Sequence, residues 1–365
     1  MYKKYSDVLE FTGTGNLDNL DDLDILISKH QLYQIISKYI KSHVNSENLI
    51  ISLSGGVDSM VLAKLLCIYR DEHHDIYNDT FRKYKIIALH INYKNRPETF
   101  CEEEFIIDWC RDHNIKLYTH HMDIVRNDQD REFYEKESRR QRYDQYKKIL
   151  SIYPSDGIFL AHHRGDEQEN TFSNIINGKN ILSLSAMNEK SIINNINILR
   201  PFINNTKDII FDFAHNHSVP YFKDTTPEWS NRGKLRKQIF PLLQDIYGNK
   251  FLTNFSSLSH ESSCWRSFII DFIINPFIKT NVSILDQNIN IILTNESKQF
   301  PNCFWNLLIK TIDPQISISS KAFDILVYKI ISGFSGKIPL SRFINANINN
   351  NILQIIKTKN LSLSS

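Results

Sequence analysis

A glycine turn set between a short apolar run and an apolar helical stretch constrains this chain more than any other feature. Residues 49–53 read as a buried strand, Ser54-Gly55-Gly56-Val57-Asp58-Ser59 as the turn, and residues 60–69 as the helix that follows. The alternation continues with strand-like 85–91, helical 102–113, strand-like 116–120, helical 132–150, strand-like 158–162 and helical 166–177. Leu32, Ile35, Ile36, Tyr39 and Ile40 place an amphipathic helix over 30–44, ahead of the first strand. Strands alternating with helices of this length build βαβ units on a parallel sheet, which carries its sites at the carboxyl ends of the strands. The expected class is α/β.

The turn itself suits an anion. Backbone N–H groups of a glycine turn at a helix N-terminus form a nest, and glycine lets the backbone come close to a phosphate. Ser54 and Ser59 add hydroxyl donors, and Asp58 is placed to hold Mg²⁺ on the phosphates. The Gly-Lys-Ser/Thr ending of a Walker loop is missing. The same six residues also fit a plain strand–helix turn, with Asp58 and Ser59 as ordinary first-turn residues.

Three further clusters carry chemical promise. Arg139 and Arg142, three apart on one helix, present two guanidinium forks to phosphate or carboxylate, or form a solvated basic face. His162 and Asp166 lie at a strand end, where a histidine serves as donor or acid–base group and an aspartate as metal ligand or base. Arg232, Lys234, Arg236 and Lys237 put four cations in six residues at a helix start, the pattern of RNA phosphate contacts or of a solvated helix end.

Composition narrows the setting. The 365 residues carry 43 Lys+Arg against 41 Asp+Glu, a net of +2, so any nucleic-acid surface must be a local patch. Apolar runs stop short of the ~20 residues that span a bilayer, which argues against a membrane partner. Cys67, Cys101, Cys110, Cys264 and Cys303 form no Cys-x-x-Cys pair, so reduced thiols in a cytoplasmic protein are expected. The acidic N-terminal stretch fits neither a secretory nor an organellar presequence.

The hexapeptide 54–59 resembles the PP-loop of the N-type ATP pyrophosphatases. Other blocks, in order, are similar to those of the tRNA(Ile)-lysidine synthetase family. They are His90-Ile91-Asn92-Tyr93-Lys94-Asn95-Arg96, then Glu135-x-x-Ser138-Arg139-x-x-Arg142-Tyr143, then Ala161-His162-His163-Arg164-Gly165-Asp166-Glu167-Gln168-Glu169-Asn170. Leu199-Arg200-Pro201-Phe202 comes next. Asp224-x-Thr226 with Ser230-Asn231-Arg232-x-x-Leu235-Arg236-x-x-Ile239-x-Pro241-Leu242-Leu243 completes a match over roughly residues 45–250.

The resemblance implies a parallel-sheet domain of the adenine nucleotide alpha hydrolase type over 1–203, a helical tRNA-contacting domain over 204–275, and a region of unknown role over 276–365. The portion after 203 is expected to be mostly helical. Implied chemistry is the ATP- and Mg²⁺-dependent joining of L-lysine to C2 of the wobble cytidine of a CAU-anticodon isoleucine tRNA. The oligomeric state stays open, a dimer included.

Roles follow by position. Ser54, Gly55, Gly56, Val57, Asp58, Ser59, His90 and Asn92 would bind ATP; Asp58, Arg139, His162 and Asp166 would be catalytic; Asp58 and Asp166 would hold metal. Arg200, Arg232, Lys234 and Arg236 would contact RNA. One departure matters: Gly165 stands where the family has the first of two adjacent Asp residues. Two rivals follow, a related tRNA thiolase and a catalytically weakened tRNA-binding homologue.

Overall fold

The computed structural model describes residues 2–11, 29–73, 84–94, 98–124, 131–185, 187–223, 230–285 and 288–357. Of the motif residues, Asn95, Arg96, Asp224 and Thr226 lie outside the described residues. The chain forms two compact units, Met1–Ile176 with Ser185–Ser259, and Asn177–Leu184 with His260–Ser365.

The first unit runs β1 (Leu9–Phe11), α1 (Gln31–His43), β2 (Asn48–Ser52), α2 (Val57–Glu72), β3 (Lys85–Asn92), α3 (Thr99–Asp112) and β4 (Lys116–His121). It continues with α4 (Arg131–Ile152), β5 (Ile158–Phe159), α5 (Arg164–Ile176), β6 (Lys190–Ile193), β7 (Ile196–Leu199), α6 (Lys207–Asn216) and β8 (Tyr221–Phe222). Then α7 (Asn231–Lys234) passes through a π-helical turn, Leu235–Ile239, into α8 (Phe240–Tyr247). The long α9 (Lys250–Ile269) begins in this unit.

The central sheet has the order β4-β3-β2-β5-β7-β6. The strands from β4 to β7 are parallel, and β6 returns antiparallel to β7 through Asn194-Asn195, both at positive φ (51° and 63°). Such a two-residue turn matches the twist of a hairpin, and Asn tolerates it. Chain order reverses beside β2: β3 and β4 lie on one side of it, β5 and β7 on the other. A crevice opens at such a reversal, beyond the strand carboxyl ends. The turn after β2 and the His162-His163 pair after β5 both sit there.

Burial explains the strand sequences. Leu49, Ile51, Ile86 and Ala88 face one core with α1, α2, α3 and α6, while Ile50, Ile87, Leu89 and Ile91 face a second with Tyr143, Tyr146 and Ile149 of α4. A strand covered on both faces reads as an unbroken apolar run. The first core continues into Ile210, Phe213 and Ala214 of α6 and Tyr221 and Phe222 of β8. The expected boundary at 203 therefore falls inside a compact unit, because the apolar stripe of α6 is buried against α2.

In the second unit, α10 (Asn275–Asn281) leads into β9 (Val282–Leu285), β10 (Asn288–Ile292), α11 (Asn302–Ile312), α12 (Ser320–Ile331), β11 (Gly336–Ser341), β12 (Ile344–Asn349) and β13 (Ile352–Lys357). Helix carries the chain from 231 to 281 nearly throughout, as expected. Beyond that, where a mostly helical region was expected, five antiparallel strands form a sheet in the order β11-β12-β13-β10-β9. Trp305, Leu308, Leu326 and Ile330 of the helices pack on Ile289, Ile291, Ala346, Leu353 and Ile355 of its strands. Among the described residues no helix is long and apolar enough to cross a membrane.

Candidate active site

The turn after β2 is braced from within. Ser59 Oγ accepts from the Ser54 N–H at 3.2 Å and donates to the Gly56 carbonyl at 3.0 Å. Ser59 thus shapes the loop, whereas the Ser54 hydroxyl is exposed. Val57 is 5% exposed and belongs to the core, so only its backbone N–H faces a ligand. Gly56 caps α2 with no side-chain hydrogen bond, leaving the first-turn N–H groups for an anion. Gly55 sits at φ 81°, and a Cβ there would lie 1.9 Å from Cε2 of Phe222, whose N–H bonds the Gly55 carbonyl at 2.9 Å. Only glycine meets both conditions.

Asp58 stands at the head of α2. Its Oδ1 is buried without a hydrogen-bond partner, 3.8 Å from Nε2 of His163, and Nζ of Lys207 lies 3.9 Å from Oδ2. Burial pushes its carboxyl above the ordinary value, against the pull of His163 and Lys207. An unpartnered buried carboxylate oxygen beside a phosphate nest fits Mg²⁺, which takes one or two carboxylates together with phosphates and water.

Asp166 is differently placed. Its Oδ2 accepts the His163 N–H at 2.9 Å and lies 3.7 Å from the same residue's Nε2. Its Oδ1 takes Nη2 of both Arg232 and Arg236, the latter at 3.1 Å. Glu169, one turn along α5, takes the Nε groups of the same two arginines, that of Arg232 at 2.8 Å. Burial would raise the Asp166 carboxyl, but Arg232 and the two histidines outweigh it and hold it well below the usual carboxylate range. So held, it makes a poor proton acceptor. Both oxygens are engaged, so a metal at Asp166 would share them with His163 and the arginines, whereas Oδ1 of Asp58 is unpartnered; the assignment of Asp166 to proton acceptance is corrected accordingly. Among the described residues no group of three His, Cys, Asp or Glu side chains is gathered as a metal site.

Arg232 and Arg236, expected as RNA contacts, each give Nε and Nη2 to the two buried carboxylates, while their side chains stay 47% and 32% exposed with Nη1 outside those contacts. Arg200 is corrected too. It is 2% exposed and donates from Nε to Nδ1 of His162 at 3.1 Å, so no RNA phosphate reaches it. Lys234 is exposed and stays available.

His162 is a neutral imidazole. Burial, opposed by Asp166 and aided by Arg200, Arg232 and Arg142, pushes it down to about 3. His90, at the end of β3, is buried and donates from Nδ1 to the Leu53 carbonyl at 2.9 Å, which leaves its Nε2 as an acceptor. Burial lowers its pKa as well. Asn92 is 2% exposed, and its amide is committed to Glu103 at 2.7 Å, Thr99 and the Lys94 N–H. It organises the β3–α3 turn and has no polar atom left for ATP, contrary to expectation.

Of the α4 arginines, Arg139 is exposed with its guanidinium 5.0 Å from the Tyr143 ring centre, while Arg142 points inward to Tyr93 and the field of His162. The inward one is not the one chosen as catalytic. Sequence reasoning also passed over Lys207, which no motif block contains, and Glu169, whose i,i+3 spacing from Asp166 was readable.

A sequence profile described as a PP-loop domain matches residues 27–243. The chain belongs to the PP-loop family. Membership in it implies ATP binding. A tRNA(Ile)-lysidine synthase of Staphylococcus epidermidis is 26% identical over 200 residues, covering 54% of this chain and 44% of that protein. One of Chlamydia caviae is 27% identical over 238 residues, covering 64% and 70%. The chain thus spans less than half the length of the staphylococcal relatives it matches. Among solved structures, a U34-tRNA thiolase of Methanococcus maripaludis superposes with a TM-score of 0.48 at 15% identity, covering 65% of this chain and 78% of that one.

Proposed function

We propose that this PP-loop protein is a tRNA(Ile)-lysidine synthase acting in the cytoplasm. It would use ATP to adenylate the C2 oxygen of the wobble cytidine of a CAU-anticodon isoleucine tRNA and then join L-lysine to C2. The cytidine oxygen attacks the α-phosphorus, the bond to the β-phosphate oxygen breaks, and pyrophosphate leaves. The lysine ε-amine then attacks C2, the C2–O bond breaks, and AMP departs. Adenylation is needed because a carbonyl oxygen is a poor leaving group.

One observation carries this reading: motif blocks far apart in sequence meet at the carboxyl ends of the adjacent strands β2 and β5. Nε2 of His163 stands 3.8 Å from Asp58 of the loop and 3.7 Å from Asp166, and Asp166 is tied to Arg232. Relatives bearing that activity in their names match 54% and 64% of the chain. The loop N–H groups and Ser54 would hold the pyrophosphate portion, and Asp58 would hold Mg²⁺, which neutralises phosphate charge. Arg232 and Arg236 hold Asp166 and Glu169 in place, and Arg232 helps keep Asp166 ionised. Lys234 offers an exposed contact to RNA phosphate.

The test is pyrophosphate release and lysine incorporation with ATP, CAU-anticodon tRNA and lysine. Release that requires lysine supports the reading. Release that requires a sulfur donor instead would make the protein a thiolase, and no release at all would leave a binding protein.

A further inference from the structure

Arg200 follows β7 directly and is almost wholly buried. A guanidinium has only N–H groups to give, so its 3.1 Å contact with His162 has one polarity: Nε donates and Nδ1 of the imidazole accepts. Nδ1 therefore carries no proton, and the neutral ring keeps its proton on Nε2. The arginine is itself clamped. Its Nη1 donates to the Asn188 carbonyl at 3.0 Å and to Ser191 Oγ at 2.7 Å, and its backbone N–H bonds the Glu189 carbonyl at 2.7 Å.

We propose that Arg200 is a positioning residue that fixes His162 as an Nε2–H donor to a substrate phosphate or carbonyl oxygen, and so withholds it from proton acceptance. The identity of that oxygen rests on the lysidine synthase reading; the orientation of the ring does not. The groups facing His162 are Asp166, Arg200, Arg232 and Arg142, three cations against one carboxylate. With burial, they keep the ring neutral at working pH. A neutral imidazole locked in one tautomer is a fixed dipole aimed by its partner, and such a donor needs no reorganisation when charge develops on an oxygen. The proton that the lysine ammonium loses to become the attacking amine must then leave by another route.

The experiment uses the full chain labelled with ¹⁵N-histidine, assayed in parallel for pyrophosphate release with ATP, tRNA and lysine. In the parent, His162 should show a pyridine-type Nδ1 and a pyrrole-type Nε2, with no titration from about pH 5.5 to 8.5. Arg200→Met keeps bulk but removes the donor. His162 should then exchange tautomers and titrate, and kcat should fall about 10- to 100-fold with KM for ATP held. A proton on Nδ1 in the parent, or a tautomer unchanged in Arg200→Met, overturns the proposal. Should Arg200→Met fail to fold, His162→Gln and His162→Asn decide. The Gln amide nitrogen reaches the Nε2 position, so Gln should retain at least about ten times the activity of Asn. Equal activities refute the donor role. A parent that shows the expected tautomer but releases no pyrophosphate in the presence of lysine and tRNA refutes the functional reading and leaves the Arg200–His162 assignment standing.

Discussion

The ring of His163 lies where a side chain on residue 165 would have to stand. A Cβ added to Gly165 would come within 2.7 Å of Cε1 and 3.1 Å of Nδ1, and that Nδ1 accepts the Gly165 N–H at 3.0 Å. Gly165 is helical and not left-handed, so its backbone gives no reason for glycine; the ring does. By fitting so closely, the ring presents Nε2–H between Asp58 and Asp166. Gly165 thus leaves the space that the close-packed His163 ring fills. Gly165→Ala and Gly165→Asp should both displace the ring. Overpacking of ~1–3 kcal/mol exceeds the ~1 kcal/mol that alanine returns in a helix. Both variants should melt lower and release pyrophosphate at least tenfold more slowly. A Gly165→Asp protein as fast as the parent would mean that the position lacks only a carboxylate.

Asp58 is destabilised for a purpose. Its folded pKa is raised, chiefly by burial, so the ionised form costs stability above that pKa, and the cost vanishes once pH falls below the unfolded value. Asp58→Asn should therefore hold or raise the melting temperature at pH 7 while lowering adenylation by at least ~10–100-fold. Added Mg²⁺ should stabilise the ATP-bound parent and leave the variant unmoved. A melting temperature that falls along with the activity would make Asp58 a structural residue.

Much of this was legible in sequence, and the rest was hidden for physical reasons. The loop, its flanking strand and helix, and the order of blocks follow from period and turn chemistry. The direction in which an arginine points does not. Arg200 and Arg139 were read as outward and inward respectively, and the structure has them the other way round, because tertiary packing selects the face. Ile344-Asn345-Ala346-Asn347-Ile348-Asn349 alternates as a strand should, with Ala346 and Ile348 buried, yet asparagine is depleted in strands and masks the pattern. The following Asn350-Asn351 turn, both at positive φ, uses asparagine where it is an asset. The contact between Gly165 and His163 is legible only once the ring is placed.

The arginine clamp separates stability from RNA affinity. Arg232→Ala leaves Asp166 and Glu169, 5% exposed each, with half their cations; the Arg232 side chain is 47% exposed, so solvent screening brings the loss well below the ~3–5 kcal/mol of a fully buried pair. Thermal unfolding should fall by several degrees, with the salt dependence of tRNA binding little changed. Lys234→Ala should do the reverse, reducing the salt slope by ~0.7–0.9 with no loss of stability. A slope that drops for Arg232→Ala in a protein as stable as the parent would restore that arginine to the RNA surface.

His217 sets an acid limit on the fold. It ends α6 with its ring 4.4 Å from that of Phe213 and 5.7 Å from that of His30, and its buried Nδ1 has no partner. Burial, with His30 and Lys64 against Asp212, pushes it down to about 4. Between the ordinary value near 6.5 and about 4, the unfolded chain binds a proton that the folded chain refuses, so stability rises with pH across that window and is lost on acidification. His162 adds to the same slope down to about 3. Each unit of depression is worth ~1.4 kcal/mol before solvent screening. His217→Phe removes both the titration and the orphaned nitrogen. The variant should match or exceed the parent at pH 7 and melt well above it at pH 5. A parent whose melting temperature is flat from pH 7 to 5, or a variant that tracks it through that range, would show that His217 is solvated and carries no such load.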